Sequence, residues 1–74
     1  MYIYKFIVRL IDELYENGFY SVDIFKEHDK HKNEFLIRVL CKKDDKKYDY
    51  NYTIDEKLLD DISIQEIVNN LLMK

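Results

Sequence analysis

The chain has no proline, no tryptophan, one glycine and one cysteine among its 74 residues. Without proline, and with Gly18 as the only glycine, nearly all of the chain is able to lie in helix or strand, with little linker. The single Cys41 excludes an internal disulfide and is typical of a reducing compartment. Because there is no glycine-rich loop, cradling of a phosphate by backbone amides is not expected.

Long apolar segments are also missing. The N-terminal residues 1–11 are interrupted by Lys5 and Arg9, are too short to span a bilayer and lack a signal-peptide cleavage pattern. We therefore expect a cytoplasmic protein. The bias toward Ile, Lys, Asn, Tyr and Asp is typical of AT-rich genomes, which points to a low-GC bacterium or to a phage acting in the host cytoplasm. The length predicts a single α+β domain over residues 1–74.

Apolar residues recur at helical spacing near the N-terminus and predict an amphipathic helix over residues 3–17. The apolar stripe consists of Ile3, Phe6, Ile7, Leu10, Ile11 and Leu14. Gly18 is predicted to end this helix in the left-handed conformation. Phe19 would then fold back on Leu14, as in a Schellman cap.

Alternation of apolar and polar residues predicts strands over residues 20–26, 34–42 and 47–54, with a polar loop from His28 to Asn33. If Asp44 and Asp45 form a two-residue turn, apolar residues of the second strand face apolar residues of the third. The predicted pairs are Phe35 with Ile54, Ile37 with Tyr52, Val39 with Tyr50, and Cys41 with Tyr48. The turn lacks the glycine that primed turns prefer, so a longer loop is an alternative.

The C-terminal segment is predicted to be helical. Ser63-x-x-Glu66 has the pattern of a capping box, with Ile62 and Ile67 as a hydrophobic staple, and a similar pattern at Thr53 predicts a short turn before it. The expected fold class is α+β: a two-layer α-β-β-β-α domain in which the helices pack on one face of a three-stranded antiparallel sheet. The apolar stripe of the last helix is Ile64, Ile67, Val68, Leu71 and Leu72.

The opposite face of the predicted sheet is mixed in polarity. Large apolar side chains on an uncovered face indicate a contact surface. We therefore predict a candidate homodimer face made of Phe25, Leu36, Arg38 and Leu40.

Candidate catalytic and metal-binding groups are few. His28-x-x-His31 could ligate a metal, but no further Cys or His pair completes a zinc site, and a solvated loop explains the same residues. Cys41 falls on the apolar side of a strand, which is typical of a core thiol and not of a nucleophile. We predict no catalytic residues, no metal, no cofactor and no enzymatic activity.

Tyr48, Tyr50 and Tyr52 form a stripe on one face of the third strand. Such a stripe could stack nucleic-acid bases if it were bare. Its pairing with Ile37, Val39 and Cys41 favours a place in the core. The two alternatives depend on which sheet face the helices cover.

Acidic residues dominate the C-terminal part of the chain, where residues 44–74 contain eight Asp or Glu and four Lys or Arg. This balance argues against direct nucleic-acid binding. A solvated surface would explain it, and so would a surface that binds a basic protein partner, such as a nuclease, in place of phosphates. The predicted partner-binding residues are Asp49, Asp55, Glu56, Asp60, Asp61 and Glu66.

The element order resembles that of double-stranded-RNA-binding domains. In that family the last helix opens with lysines that grip phosphates, whereas residues 55–61 here read Asp-Glu-Lys-Leu-Leu-Asp-Asp. The charge is of the opposite sign, so no functional residue of that family carries over.

In size, mild acidity and element order, the chain also resembles small phage-encoded anti-CRISPR proteins of the type II-A group, some of which block a nuclease groove by mimicking DNA. The resemblance implies a small non-enzymatic inhibitor that covers a basic nucleic-acid-binding groove with an acidic surface. The alternative is a small homodimerising structural module of a low-GC bacterium.

Overall fold

Two helices cover one face of a three-stranded antiparallel sheet in the computed structural model, which describes residues 1–74. The strand order is β1-β2-β3, so β2 is central and β1 and β3 form the two edges. This arrangement confirms the predicted α-β-β-β-α fold class. The elements are α1 (Ile3–Glu16), β1 (Tyr20–Asp29), β2 (Glu34–Lys43), β3 (Lys46–Asp55), a 3₁₀ turn (Glu56–Leu58) and α2 (Asp61–Leu72).

Helix α1 buries the predicted apolar stripe and ends as the sequence indicates. Gly18 has φ +88°, and its N–H donates to the Tyr15 carbonyl at 3.1 Å. The Phe19 N–H donates to the Leu14 carbonyl at 3.0 Å, which completes a Schellman motif. The predicted helix end and the return of Phe19 into the core are therefore confirmed.

The β2–β3 hairpin has the register that the apolar pairs predicted. Phe35 lies opposite Ile54, and Cys41 lies opposite Tyr48, with the two intermediate pairs also as predicted. The turn consists of Asp44 (φ 51°) and Asp45 (φ 64°), both left-handed as in a type I′ turn. The two-residue turn is thus formed without glycine.

Strand β1 differs from its prediction at both ends. It continues to Asp29, so the prediction that the loop begins at His28 is wrong. The turn begins after Asp29, whose side chain accepts from the His31 and Lys32 N–H groups. Near its start the pairing is interrupted by a β-bulge between Tyr20 and Asp23, and Ser21 has φ 51°. The bulge inserts an extra residue, which turns Tyr20 to the uncovered face opposite Lys42.

Helix α2 begins earlier than the capping-box pattern predicted. Asp60 is its N-cap and accepts from the Ser63 N–H at 2.8 Å, while the Ser63 hydroxyl donates to the Leu58 carbonyl at 2.7 Å. Ile62 is 78% exposed and cannot act as a hydrophobic staple. The predicted capping boxes at Ser63 and Thr53 are therefore wrong, because Asp60 and Asp55 provide the caps instead.

The core lies between the helices and the covered sheet face. It contains apolar side chains from α1, α2, β2 and β3, and Cys41 is enclosed among them at 3% exposure. Both helices fall short of the length and apolar character that crossing a membrane requires.

Candidate interaction surfaces

Most of the predicted acidic residues gather at one end of the molecule, where β3, the 3₁₀ turn and the start of α2 meet. We call Asp55, Glu56, Asp60 and Asp61 the acidic end. Glu66 lies further along α2 and is also exposed.

Two carboxylates of the acidic end are fixed by helix capping. Asp55 Oδ1 accepts from the Lys57 N–H at 2.8 Å, and Asp60 Oδ1 accepts from the Ser63 N–H at 2.8 Å. The bond from the Ser63 N–H is the main reason that the pKa of Asp60 is lowered. The first N–H groups of a helix have no partner within the helix, so they donate to a carboxylate at the N-cap position and hold it in one orientation.

The other two carboxylates have basic partners within the chain. Asp61 Oδ1 lies 2.8 Å from Arg9 Nε on α1, and Glu56 Oε2 lies 3.0 Å from His28 Nε2. These pairs are exposed to solvent and are therefore weak. The acidic end is thus a negative surface on which Arg9 is a permanent positive partner, at Asp61.

Asp49 does not belong to the acidic end. It lies on the uncovered sheet face, opposite Leu40, and its two carboxylate oxygens accept from Arg38 Nε at 2.9 Å and Arg38 Nη2 at 2.7 Å. The hydrogen bond from Arg38 lowers the pKa of Asp49, and the bond to Asp49 raises the pKa of Arg38. The structure therefore joins two residues that the sequence assigned to different surfaces.

The uncovered sheet face carries the predicted apolar residues. Phe25 is 55% exposed and Leu36 is 43% exposed, while Leu40 is half-buried. Phe25 lies directly opposite Arg38, with Leu36 and Leu40 on either side of that arginine along β2. All four candidate dimer-face residues therefore lie together, as predicted.

The bulge adds Tyr20 to the same face, whereas strict alternation with Val22 and Ile24 predicts that it lies on the core side. The sequence carries no signal for this change of face, because apolar and polar residues alternate without a break from Tyr20 to Ile24. Beside Tyr20, a groove of about 420 Å³ has Asp23, Leu40, Lys47 and Asp49 among its lining residues. Its lining mixes charges of both signs, so it does not favour one ligand charge.

The tyrosine stripe lies on the helix-covered side, as the core alternative predicted. Tyr48, Tyr50 and Tyr52 are half-buried against the core. Tyr50 Oη accepts from Asn70 Nδ2 of α2 at 2.9 Å. Burial, followed by a hydrogen bond to Glu66, raises the pKa of Tyr52 to about 12.

The remaining candidates lie apart from one another. His28 stacks on Phe35, with ring centroids 4.4 Å apart, while His31 is exposed in the β1–β2 turn. Cys41 is buried on the central strand, and desolvation raises the pKa of its thiol. No cluster of three or more His, Cys, Asp or Glu side chains has the geometry to hold a metal ion.

Comparison of the chain with protein-family models, with curated protein sequences and with solved structures found no match.

Proposed function

We propose that this chain is a non-enzymatic inhibitor that binds a basic protein and covers its nucleic-acid-binding groove with the acidic end. The observation that carries the proposal is the concentration of four carboxylates within residues 55–61 at the junction of β3, the 3₁₀ turn and α2. Lysine and arginine side chains that normally bind phosphates would bind these carboxylates instead.

The local structure of the acidic end supports such a role. Asp55 and Asp60 are already oriented by capping hydrogen bonds, so they lose little freedom when a partner binds. The pairs of Asp61 with Arg9 and of Glu56 with His28 are exposed, so a partner's cations can share these carboxylates at modest cost.

The small size, the mild acidity and the element order favour an anti-defence role for this inhibitor in the cytoplasm of a phage-infected bacterium. The corresponding target is a nuclease such as those blocked by the type II-A anti-CRISPR proteins that the chain resembles. The free thiol of Cys41 is compatible with that reducing compartment.

The test uses a guide-loaded type II-A CRISPR nuclease as the probe. Its DNA cleavage and its affinity for this chain would be measured while the salt concentration rises from about 0.1 to about 0.5 M, which shortens the screening length about twofold. We expect inhibition at low salt and weaker binding at high salt. Absent or salt-independent binding contradicts the proposal.

A pair of charge variants locates the binding surface. Asp60→Asn with Asp61→Asn removes two charges from the acidic end, and asparagine still serves as an N-cap. Asp44→Asn with Asp45→Asn removes two charges from the turn, where asparagine suits the left-handed backbone. We expect only the first variant to lose inhibition; equal loss in both would show that net charge alone is responsible.

A second candidate function is a homodimerising structural module, favoured by the exposure of Phe25 and Leu36 around the Arg38–Asp49 pair. Burying these side chains against a second copy would remove apolar surface from water. Leu36→Glu should then abolish the dimer, whereas Thr53→Glu, at the neighbouring position on β3, should weaken it less. Sedimentation of both variants measures this, and a dimer that survives Leu36→Glu contradicts this candidate.

A further inference from the structure

We propose that two copies of this chain associate edge to edge through β3, in antiparallel orientation, with Asn51 on the twofold axis. β3 is an edge strand of ten residues, and its outer side has no neighbouring strand. The edge shares Asp55 and Glu56 with the acidic end, but its pairing rests on the free backbone groups of β3, so the inference does not depend on either proposed function.

Hydrogen-bond alternation identifies the backbone groups that face outward. In an antiparallel ladder, alternate residues direct both their N–H and C=O groups to one neighbour. The Glu56 N–H donates to the Asn33 carbonyl at 2.9 Å, which continues the ladder from the end of β3 toward the β2 side. The backbone N–H and C=O groups of the even-numbered residues of β3 therefore point to β2, and those of the odd-numbered residues point away from the sheet. The outward-facing positions are Lys47, Asp49, Asn51, Thr53 and Asp55.

A second β3 strand pairs with these outward groups most favourably in one register. With Asn51 opposite Asn51 of the second copy, Lys47 lies opposite Asp55 at both ends, and Asp49 lies opposite Thr53. Opposite charges directly across two strands stabilise the pair, and like charges destabilise it. Lys46 and Glu56, just beyond the paired ends, are also opposite in charge.

Other antiparallel registers also pair the outward backbone groups of the two strands, but they are less favourable. Centring the pair on Asp49 places two copies of that aspartate opposite each other. Centring it on Tyr50 places Asp45 opposite Asp55, and centring it on Tyr52 places Asp49 opposite Asp55. Only the register centred on Asn51 pairs nearly the whole strand without opposing like charges.

Apolar contact is added on the helix-covered side. Tyr50 and Tyr52 are half-buried and stack on each other with ring centroids 6.1 Å apart. In the Asn51 register, Tyr50 of one copy lies opposite Tyr52 of the other. Four tyrosine rings then gather at the axis, where contact between copies removes part of their exposed surface from water.

The other edge is less suited to pairing. β1 is interrupted by the bulge at Ser21, and such bulges protect sheet edges. Pairing β1 with itself around Phe25 would place Asp23 opposite Glu27, and pairing it around Lys26 would place two lysines opposite each other. β3 is therefore the edge at which a second copy fits.

The first test is sedimentation equilibrium of the full chain and of Asn51→Pro. Proline removes an outward N–H, which an edge strand tolerates, and so it breaks the two central hydrogen bonds between copies without breaking the β2–β3 ladder. We expect a wild-type dimer and at least a tenfold weaker association of the variant, with the same circular dichroism. A wild-type monomer at about millimolar concentration, the weak end of specific association, overturns the proposal.

Charge variants test the register. Lys47→Glu places two acidic residues opposite each other and should weaken the dimer. Lys47→Glu with Asp55→Asn removes that repulsion, keeps a side chain able to cap the turn, and should restore association. Lys30→Glu, in the exposed β1–β2 turn, is the matched control and should leave association unchanged. A dimer that is lost with Leu36→Glu but retained in Asn51→Pro would place the contact on the uncovered face and contradict edge pairing.

Discussion

Backbone conformation at single residues explains several details of this fold. Besides Gly18, four residues have positive φ, namely Ser21, Asn33, Asp44 and Asp45. Asparagine and aspartate adopt this region more readily than other non-glycine residues, because their side chains can hydrogen-bond locally. Gly18 was predictable as a helix end, whereas a serine carries no comparable signal, so the bulge at Ser21 was missed.

Gly18→Ala should destabilise the protein by about 1–2 kcal/mol, since a Cβ makes the left-handed conformation costly. The added atom would meet Lys43 Cε at 3.5 Å, an ordinary contact, so the effect comes from the backbone and not from a clash. Urea unfolding measures it. Ser21→Gly removes a Cβ at another positive φ and should not destabilise; a similar loss in both variants would contradict this explanation.

Tyr52 should be among the last tyrosines to ionise, because burial and Glu66 raise its pKa to about 12. A raised folded-state pKa means that its stabilising effect is complete below the usual pKa of about 10 and is lost as the pH rises through about 12. An ultraviolet titration of tyrosinate should show a late step that Tyr52→Phe removes. Loss of an early step instead would contradict the assignment.

Short-range pattern decided most of the elements but not all of their ends. The β2–β3 register followed from apolar pairing around Asp44 and Asp45, since a slip by one residue would bury polar groups. The start of α2 was ambiguous, because Asp60 and Ser63 are both good N-cap residues. Burial of Ser63 against the preceding turn selects Asp60, and that contact is tertiary.

The β2–β3 turn should be improved by glycine. Asp45→Gly relieves a left-handed aspartate and creates the Asp-Gly pair that type I′ turns favour, which should stabilise the protein by roughly 0.5–1 kcal/mol after the entropy cost of glycine. Thermal or urea unfolding measures the gain. Asp45→Ala should destabilise instead, and a loss of stability with glycine would contradict the turn geometry.

The α2 cap should be visible in the pH dependence of stability. Because the pKa of Asp60 is lowered in the folded state, its contribution is present above the ordinary aspartate pKa and is lost as the pH falls through the lowered value. Asp60→Asn should therefore keep the helix while weakening this acid dependence, and Asp60→Ala should lower stability at neutral pH as well. Unfolding midpoints between about pH 2 and pH 7 test both, since this range spans aspartate titration.

At the scale of the whole molecule, the sequence predicted which sheet face is covered but not how the surface charges are matched. Arg38 and Asp49 are eleven positions apart and meet across the hairpin, a contact that follows from the register but was not inferred from it. Likewise, the Arg9–Asp61 pair depends on how α1 packs against α2. Such pairs become predictable only when elements are placed relative to one another.

The core should tolerate little loss of buried side-chain volume, because a domain of this size has a net stability of roughly 3–5 kcal/mol. Leu10 is fully buried on α1, and Leu10→Ala should cost about 2–5 kcal/mol through lost burial and the resulting cavity. We expect a largely unfolded chain by circular dichroism at 25 °C, whereas Leu36→Ala on the uncovered face should remain folded. If Leu10→Ala unfolds cooperatively with the same denaturant midpoint as the wild type, this expectation is wrong.

The position of Cys41 gives the molecule a built-in reporter of transient opening. Its thiol is the only one in the chain and is buried in the core on the central strand. An alkylating reagent can reach it only when the layers separate, so the labelling rate under native conditions measures how often the fold opens, in the same way as amide hydrogen exchange. Any partner or second copy that stabilises the closed layers should slow that rate in proportion to its affinity.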